Sequence, residues 1–341
     1  MARHSRSGAA LALLLLCALP VQAAGLQRAR WLMGTLWSVA APCVPADSMR
    51  CSAALDAALD EVAALEVLLS NWSATSALSR LNAAGAADAL PEPLFAVIDS
   101  ALTLAALTHG AFDPTVEPLT RAWDLRGEGR VPAERELAGA LAHTGWARVV
   151  LEPAARGVRL NGTQLDLGGI AKGFALDRAA RVLAARGVST ATLDAGGQRL
   201  AIACTDTVWV AEPGRRDVPA ASLALTDASL STSAQSERFV TVGGRRHGHV
   251  VDPRTGRPVA NGGSVSVRAA SATRADALST ALLVLGRAPA QAFATARPEL
   301  GVLWLEPAHG HVLAHAWNLS LLRTAARVVP TNAALTLTDH R

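Results

Sequence analysis

Asp276 and Thr280 stand four residues apart in Ser271 to Leu285, a stretch with helical spacing, so both fall on one helix face. A carboxylate and a hydroxyl in that arrangement are hard oxygen donors suited to Mg²⁺, which keeps waters and shares phosphate oxygens. Taken alone, the pair reads more simply as an exposed acid beside a threonine bonded back to its own helix. The run Asp166-Leu167-Gly168-Gly169-Ile170-Ala171-Lys172-Gly173 places an acid and two glycines at the end of an apolar strand, then a lysine and a third glycine where a helix opens. Unpaired N–H groups at a helix start, a flexible turn and a cation together favour phosphate or another anion. The glycine spacing fits neither GxxxxGK[ST] nor GxGxxG, so a Gly-rich turn with a solvated lysine is the plainer reading of this run by itself. His249 precedes the DP and TG turn steps of Asp252-Pro253 and Thr255-Gly256, which puts it near a strand end. A histidine there is a structural side chain first and a base working near neutrality second.

These groups need elements to position them. Trp31 to Val39 reads as a first strand broken at Gly34, and Ala53 to Leu69 as an amphipathic helix (Leu55, Leu59, Val62, Leu65, Leu69) ending at Ser70-Asn71-Trp72-Ser73. Trp72 is a core or rim aromatic on this reading, or a flat surface for a ring to stack on. Leu94 to Leu107 is a second helix. The prolines of Ala111-Phe112-Asp113-Pro114-Thr115-Val116-Glu117-Pro118-Leu119 then force an ordered loop. Val149 to Asp166 reads as two short strands about an Asn161-Gly162 turn. The helix after Lys172 carries Leu176, Ala179, Ala180 and Leu183 on one face and ends at Gly187. A strand through Thr192 leads to Asp194-Ala195-Gly196-Gly197, and the chain to about Val267 is strand-rich, with a hairpin on Gly243-Gly244. Helices at Ser271 to Leu285, capped by Gly286, and at Ala288 to Ala296 precede strands Gly301 to Leu305 and Val312 to Trp317. Hairpin signals outnumber strand-helix-strand units, so the expected fold is α+β, with largely antiparallel sheets flanked by helices in a single two-lobed domain.

Met1 to Ala24 has a basic start, an apolar run from Ala9 to Leu19 and small residues at Val21-Gln22-Ala23, the pattern of a secretory signal peptide cut after Ala23 or Ala24. Leu16 before Cys17 argues against lipid attachment. No later stretch is apolar and long enough to span a bilayer. The expected layout is therefore a signal peptide (1–24), one domain (25–328) and a polar tail (329–341), exported to the periplasm. Half the residues are hydrophobic, enough for a sizeable core, and the net charge of +4 comes from scattered arginines. No basic cluster interleaves with aromatics, which argues against a nucleic-acid partner. Cys43 and Cys51 could close a small loop in an oxidising compartment, Cys204 reads as a buried thiol, and no CxxC spacing suggests zinc.

Taken in order, Met33-Gly34-Thr35, Trp72 to Asn82, Phe112-Asp113-Pro114-Thr115-Val116, Asp166 to Gly173, Asp194 to Gly197, Ser231-Thr232-Ser233, His249 to Gly256 and Ala275 to Ala281 resemble the ApbE-type FAD:protein FMN transferases, from about residue 30 to about 320. The resemblance implies the ApbE, T-fold-like architecture and a Mg²⁺-dependent enzyme that splits FAD. Such an enzyme releases AMP and attaches FMN through a phosphoester to a Thr or Ser hydroxyl of an exported acceptor, such as a subunit of a membrane redox complex. Carried over by position, it implies FAD contacts from Met33, Trp72, Ala111, Phe112, Asp113, Asp166, Lys172 and one of Val250 and Val251, with Val251 preferred. It implies Mg²⁺ on the Gly169 carbonyl, Asp276 and Thr280, with His249 catalytic. Asp166 would orient the lysine or meet the flavin's polar edge. Three positions depart from the family pattern. Glu117 replaces a usual glycine and adds a negative charge near the flavin loop, Gln198 replaces an acid or asparagine, and Trp72 replaces a tyrosine. The alternatives to transfer are an FAD pyrophosphatase releasing FMN and AMP, and an exported flavin carrier.

Overall fold

The computed structural model describes residues 25–329 except for residues 237, 238 and 261. The expected signal peptide and nearly all of the expected tail lie outside the described residues. Strands β1 (Gly25–Leu32) and β2 (Thr35–Pro42) come first, followed by helices α1 (Ser48–Leu69) and α2 (Ala77–Ala84), strand β3 (Ala86–Ala87) and helix α3 (Glu92–Leu107). Helices α4 (Glu117–Ala122) and α5 (Glu134–Ala142), strands β4 (Val150–Glu152) and β5 (Gly157–Arg159) and helix α6 (Ala171–Ala185) complete the first half. Next come β6 (Ala191–Ala195), β7 (Gln198–Ile202), β8 (Thr205–Glu212), β9 (Arg215–Thr226), β10 (Ser229–Ala234), β11 (Phe239–Val242) and β12 (Arg245–Gly248). The chain finishes with β13 (Val251–Asp252), β14 (Arg257–Pro258), β15 (Ser264–Ala269), α7 (Ala272–Leu285), α8 (Arg287–Thr295), β16 (Gly301–Ala308), β17 (His311–Trp317), β18 (Arg323–Thr324) and β19 (Arg327–Val328).

The architecture is α+β, built on a nine-stranded sheet in the order β1-β2-β6-β7-β10-β15-β16-β17-β19. Every neighbouring pair in it is antiparallel except β17 with β19. One face carries α1 against β1 and β2, α7 against β10 and β15, and α6 between those helices. The main core fills that interface, with Trp37, Leu59, Ile170, Leu176, Val267 and Leu278 essentially inaccessible. A second core lies between β7, β10, β16 and β17 of the sheet and strands β8 and β9.

The crossing of α6 and α7 is unusually close, and glycine makes it possible. A Cβ placed on Gly173 would sit 2.2 Å from the Ala272 carbonyl oxygen and 2.8 Å from Asp276 Cβ. The two helix starts also exchange caps. Asp177 of α6 accepts from the Ala272 and Thr273 N–H groups, both at 2.9 Å, and from the Ser271 and Thr273 hydroxyls at 2.7 and 2.6 Å. In return, the Gly173 N–H in the first turn of α6 donates to Asp276 Oδ2 at 3.0 Å. Each carboxylate therefore satisfies donors that the other helix cannot pair internally.

Several expectations change. Trp31 to Val39 is the heart of a hairpin and not one strand. Met33 and Gly34 both take positive φ, 49° and 72°, and Leu32 pairs with Thr35 across a two-residue turn. The Val149 to Asp166 hairpin exists, but its strands are β4 and β5, turned through Pro153–Ala155 with Arg156 left-handed at φ 48°. Asn161 and Gly162 do turn the chain, yet residues 163–167 form no strand. Asn82 takes a strand partner's place there: its side chain receives the Leu165 N–H at 2.7 Å and donates to the Leu165 carbonyl at 2.8 Å. The 111–119 loop ends at Val116, because Pro118 lies within the first turn of α4, where its missing N–H costs nothing. Cys43 and Cys51 are disulfide-bonded, with Cα atoms 6.3 Å apart, whereas Cys204 is a free, half-buried thiol and not a fully buried one.

The cap exchange gives a stability prediction. Asp177→Ala should lower the unfolding free energy in urea by about 2 kcal/mol, the upper end for loss of a helix cap. An unchanged midpoint would mean that α7 does not depend on α6 for its first turn.

Candidate functional site

Asp276 lies on α7 with 4% of its surface exposed, so the exposed-acid reading does not hold. Its Oδ2 takes the Gly173 N–H, and its Oδ1 accepts from the Ser231 hydroxyl at 3.2 Å and lies 3.8 Å from Lys172 Nζ. Lys172 is therefore oriented by Asp276 and not by Asp166. One turn further on, Thr280 Oγ1 is 3.4 Å from the Asp276 carbonyl oxygen and 3.3 Å from Ser233 Oγ. Ser279 joins them, 2.8 Å from Ser233 Oγ. The Ser231-Thr232-Ser233 strand thus lines the acid–hydroxyl pair with hydroxyls from below.

The two-glycine turn closes on the same place. A Cβ on Gly169 would lie 3.4 Å from Thr280 Oγ1 and 3.3 Å from the Phe112 ring. Gly173 is the third residue of α6, so its N–H has no acceptor within the helix, and it is given to Asp276. Among the described residues no hydrogen bond reaches that carbonyl. A carboxylate, a hydroxyl and an undonated carbonyl are oxygen donors of the kind a hard divalent cation takes. Among the described residues no group of three or more His, Cys, Asp or Glu side chains is placed to hold a metal ion.

Ala111, Phe112 and Asp113 are buried in the loop after α3. Asp113 holds that loop: its Oδ1 accepts from the Thr115 N–H and hydroxyl at 2.8 and 2.6 Å, and its Oδ2 from the Trp146 N–H at 3.0 Å. Burial pushes its carboxyl above the usual range, opposed by those three bonds. Asp166 forms a turn with the Gly168 N–H at 2.8 Å and meets Arg126 Nη2 at 2.6 Å. Met33 and Trp72 gather round the C-terminal end of α1. The Met33 N–H donates to Glu66 at 2.9 Å, and Trp72 is 69% exposed, which excludes the core reading.

His249 is exposed between β12 and β13, and Gln235 fixes the backbone on either side of it. The Gln235 amide accepts the Val250 N–H at 3.0 Å and donates to the Val250 and Val259 carbonyls at 2.7 and 2.9 Å. Gly248 lies so close to Gln235 that a Cβ would meet its Oε1 at 2.1 Å. Gln235 follows directly on β10, two residues beyond Ser233, so one segment carries both the hydroxyls under Thr280 and the brace of His249. Val251 packs into a small core with Leu119, Trp123 and Leu137. A shallow cavity of about 550 Å³ lined by Pro118, Arg121, His143 and Gln164 holds none of Asp276, Thr280 or His249.

Sequence reasoning did not single out Asn71, Asn82, Arg126, Gln235 or Ser279. Asn82 and Ser279 lie inside quoted motifs and Asn71 beside one, but nothing in the sequence assigns them a role, because each makes a contact distant in sequence. Two departures acquire roles. Gln198 donates to the Ala272 carbonyl at 2.9 Å and so braces the start of α7. Glu117, expected to add a negative charge near the flavin loop, is buried and bound by Arg126 and Arg121.

Known proteins share this fold. The family model described as the ApbE family matches residues 33–304. The FAD:protein FMN transferase of Treponema pallidum is 34% identical over 309 residues, covering 82% of this chain and 84% of that protein. Among solved structures, the ApbE protein of Thermotoga maritima superposes with a TM-score of 0.75 at 30% identity, covering 82% of this chain and 94% of that one. The apo form of the Pseudomonas stutzeri flavinyl transferase ApbE gives 0.74 at 25% identity, covering 86% of this chain and 95% of that one. This chain belongs to the ApbE family.

Proposed function

We propose that this chain transfers FMN from FAD to a Thr or Ser hydroxyl of an exported acceptor protein, releasing AMP, in a Mg²⁺-dependent reaction. The observation that carries the reading is the contact between the Gly169 turn and the Asp276–Thr280 face, with the Gly169 carbonyl left without a donor. Asp276, Thr280 and the Gly169 carbonyl would hold Mg²⁺, which when bound neutralises charge on the pyrophosphate as it is cleaved.

The chain's own residues supply the rest. An alcohol has a pKa far above neutrality, so it needs a base, and His249 would take its proton as the oxygen attacks the FMN phosphorus. The bond from that phosphorus to the bridging oxygen breaks, and AMP leaves with the electron pair. Lys172 shares the buried Asp276 carboxylate and has a flexible stem that is one-third exposed. Its ammonium would reach the phosphates of the bound nucleotide. Met33, Trp72, Ala111, Phe112, Asp113, Asp166 and Val251 would hold the flavin nucleotide. Exposed His249 leaves the attacking side open to a protein hydroxyl, which favours transfer over a sealed carrier site. The N-terminal pattern supports export to the periplasm, with a subunit of a membrane redox complex as acceptor. No helix among the described residues is long and apolar enough to cross a membrane.

Incubation of the mature protein with FAD, Mg²⁺ and a candidate acceptor domain should give a flavin-fluorescent acceptor band that survives denaturation. Free FMN without labelled protein would indicate the hydrolase, and unchanged FAD the carrier. Asp276→Ala should lower metal-dependent turnover at least ~100-fold, and retention of full activity would remove the metal assignment. His249→Ala should slow transfer by about 10²- to 10⁴-fold while FAD binding, read by flavin fluorescence, stays intact; unimpaired labelling would place the base elsewhere.

A further inference from the structure

The acid of the glycine turn is gripped by an arginine from outside every motif discussed above. Arg126 Nη2 lies 2.6 Å from Asp166 Oδ2 and 2.5 Å from Glu117 Oε2, while Nη1 lies 2.9 Å from Glu117 Oε1. The guanidinium is thus forked onto Glu117, with one nitrogen left to bridge to Asp166. Glu117 is itself immobile: 2% exposed, it also takes Arg121 Nε at 2.7 Å and the Asn71 amide at 3.2 Å. Burial opposes the charge on Arg126, but the two carboxylates outweigh it and raise the guanidinium pKa, so this cation is permanent.

We propose that Arg126, locked by Glu117, is the positioning residue of the Asp166–Gly169 turn, and through it of the Gly169 carbonyl. Asp166 has two oxygens with two duties: Oδ2 meets Arg126 at 2.6 Å and, more weakly, accepts from the Thr120 hydroxyl at 3.4 Å, and Oδ1 holds the Gly168 N–H at 2.8 Å. Its backbone is fixed as well, its N–H donating to the Pro114 carbonyl at 2.7 Å. A planar carboxylate held at one oxygen cannot swing the other away from Gly168, and Gly169 is the next residue along, packed against Thr280 and Phe112. Without Arg126, Glu117 and Asp166 would direct oxygens at one vacated nitrogen position, and their repulsion would turn Asp166 outward. Arg126 lies shortly after Trp123, whose indole N–H donates to the Gly256 carbonyl at 2.8 Å, so the network also meets the segment that follows His249. A buried ion pair of this kind is a weak source of stability, which leaves geometry as its contribution.

The metal consequence rests on the proposed function, whereas the positioning claim rests on the hydrogen bonds alone; the test separates them. Arg126→Gln leaves Glu117 buried with one fewer partner and risks misfolding. The Glu117→Gln/Arg126→Gln double variant removes both charges together and serves as the primary test. Hydrogen exchange of the apo protein, followed by mass spectrometry, should quicken at least ~10-fold in peptides spanning residues 166–170, with no change across α7. The Mg²⁺ concentration for half-maximal FMN transfer should rise at least ~10-fold while kcat at saturating Mg²⁺ stays within about threefold. Arg126→Lys should rescue neither readout fully, since an ammonium cannot fork onto Glu117 and bridge to Asp166. Wild-type exchange at 166–170 in a folded double variant overturns the proposal, whatever the activity. Faster exchange there supports the positioning claim even if the wild-type protein transfers no FMN, a result that would count against the proposed function alone.

Discussion

Two helices that cap each other set the geometry of this protein. Asp177 of α6 satisfies the first N–H groups of α7, and Asp276 of α7 satisfies Gly173 in the first turn of α6. The exchange works only because Gly173 has no side chain to hold the backbones apart. It fixes the two helix starts in register, and with them Gly169, Lys172, Asp276 and Thr280. The Gly169 carbonyl, just ahead of α6, receives no hydrogen bond among the described residues. Structure and site chemistry therefore share one carboxylate.

The rest of the molecule serves this crossing. The nine-stranded sheet supports α7 from beneath, and β10 contributes Ser231 and Ser233 directly to the acid and the hydroxyl. Just beyond that strand, Gln235 bonds to Val250 and packs closely on Gly248, the two residues that flank His249. Gln198 ties the glycine turn after β6 to the first carbonyl of α7. On the far side, Asn71 and Asn82 hold Leu165, and Arg126 holds Asp166, so the segment entering the turn is secured without being a strand. Preorganisation of this kind favours phosphoryl transfer, in which position and electrostatics carry most of the rate.

Much of this was legible in the sequence, for identifiable reasons. Helices α6 and α7 showed a 3.6-residue apolar period and glycines just past their ends, at Gly187 and Gly286. The antiparallel character followed from hairpin signals, and the ordered motifs pointed to the family. The burial of Asp276 was not legible. An acid among alanines and leucines looks exposed until the partner helix, whose glycine admits it, is placed beside it. Met33-Gly34 lacked the Asn or Asp that usually announces a two-residue turn, so a hairpin read as one strand. Asn161-Gly162 had the right signal and does turn the chain, but Asn82 captures the backbone beyond it. Glu117 read as a liability because its compensating cation, Arg126, lies nine residues on, past the end of the short helix α4.

The most direct test is the location of the divalent cation itself. Crystals of the protein soaked with Mn²⁺ and FAD, measured at an energy where manganese scatters anomalously, should show one strong peak ligated by Asp276, Thr280 and the Gly169 carbonyl, at the roughly 2.0–2.3 Å expected of hard-oxygen ligation. A peak elsewhere, or one at this site ligated without the Gly169 carbonyl, would contradict the view that the exchange of caps between α6 and α7 creates the metal site.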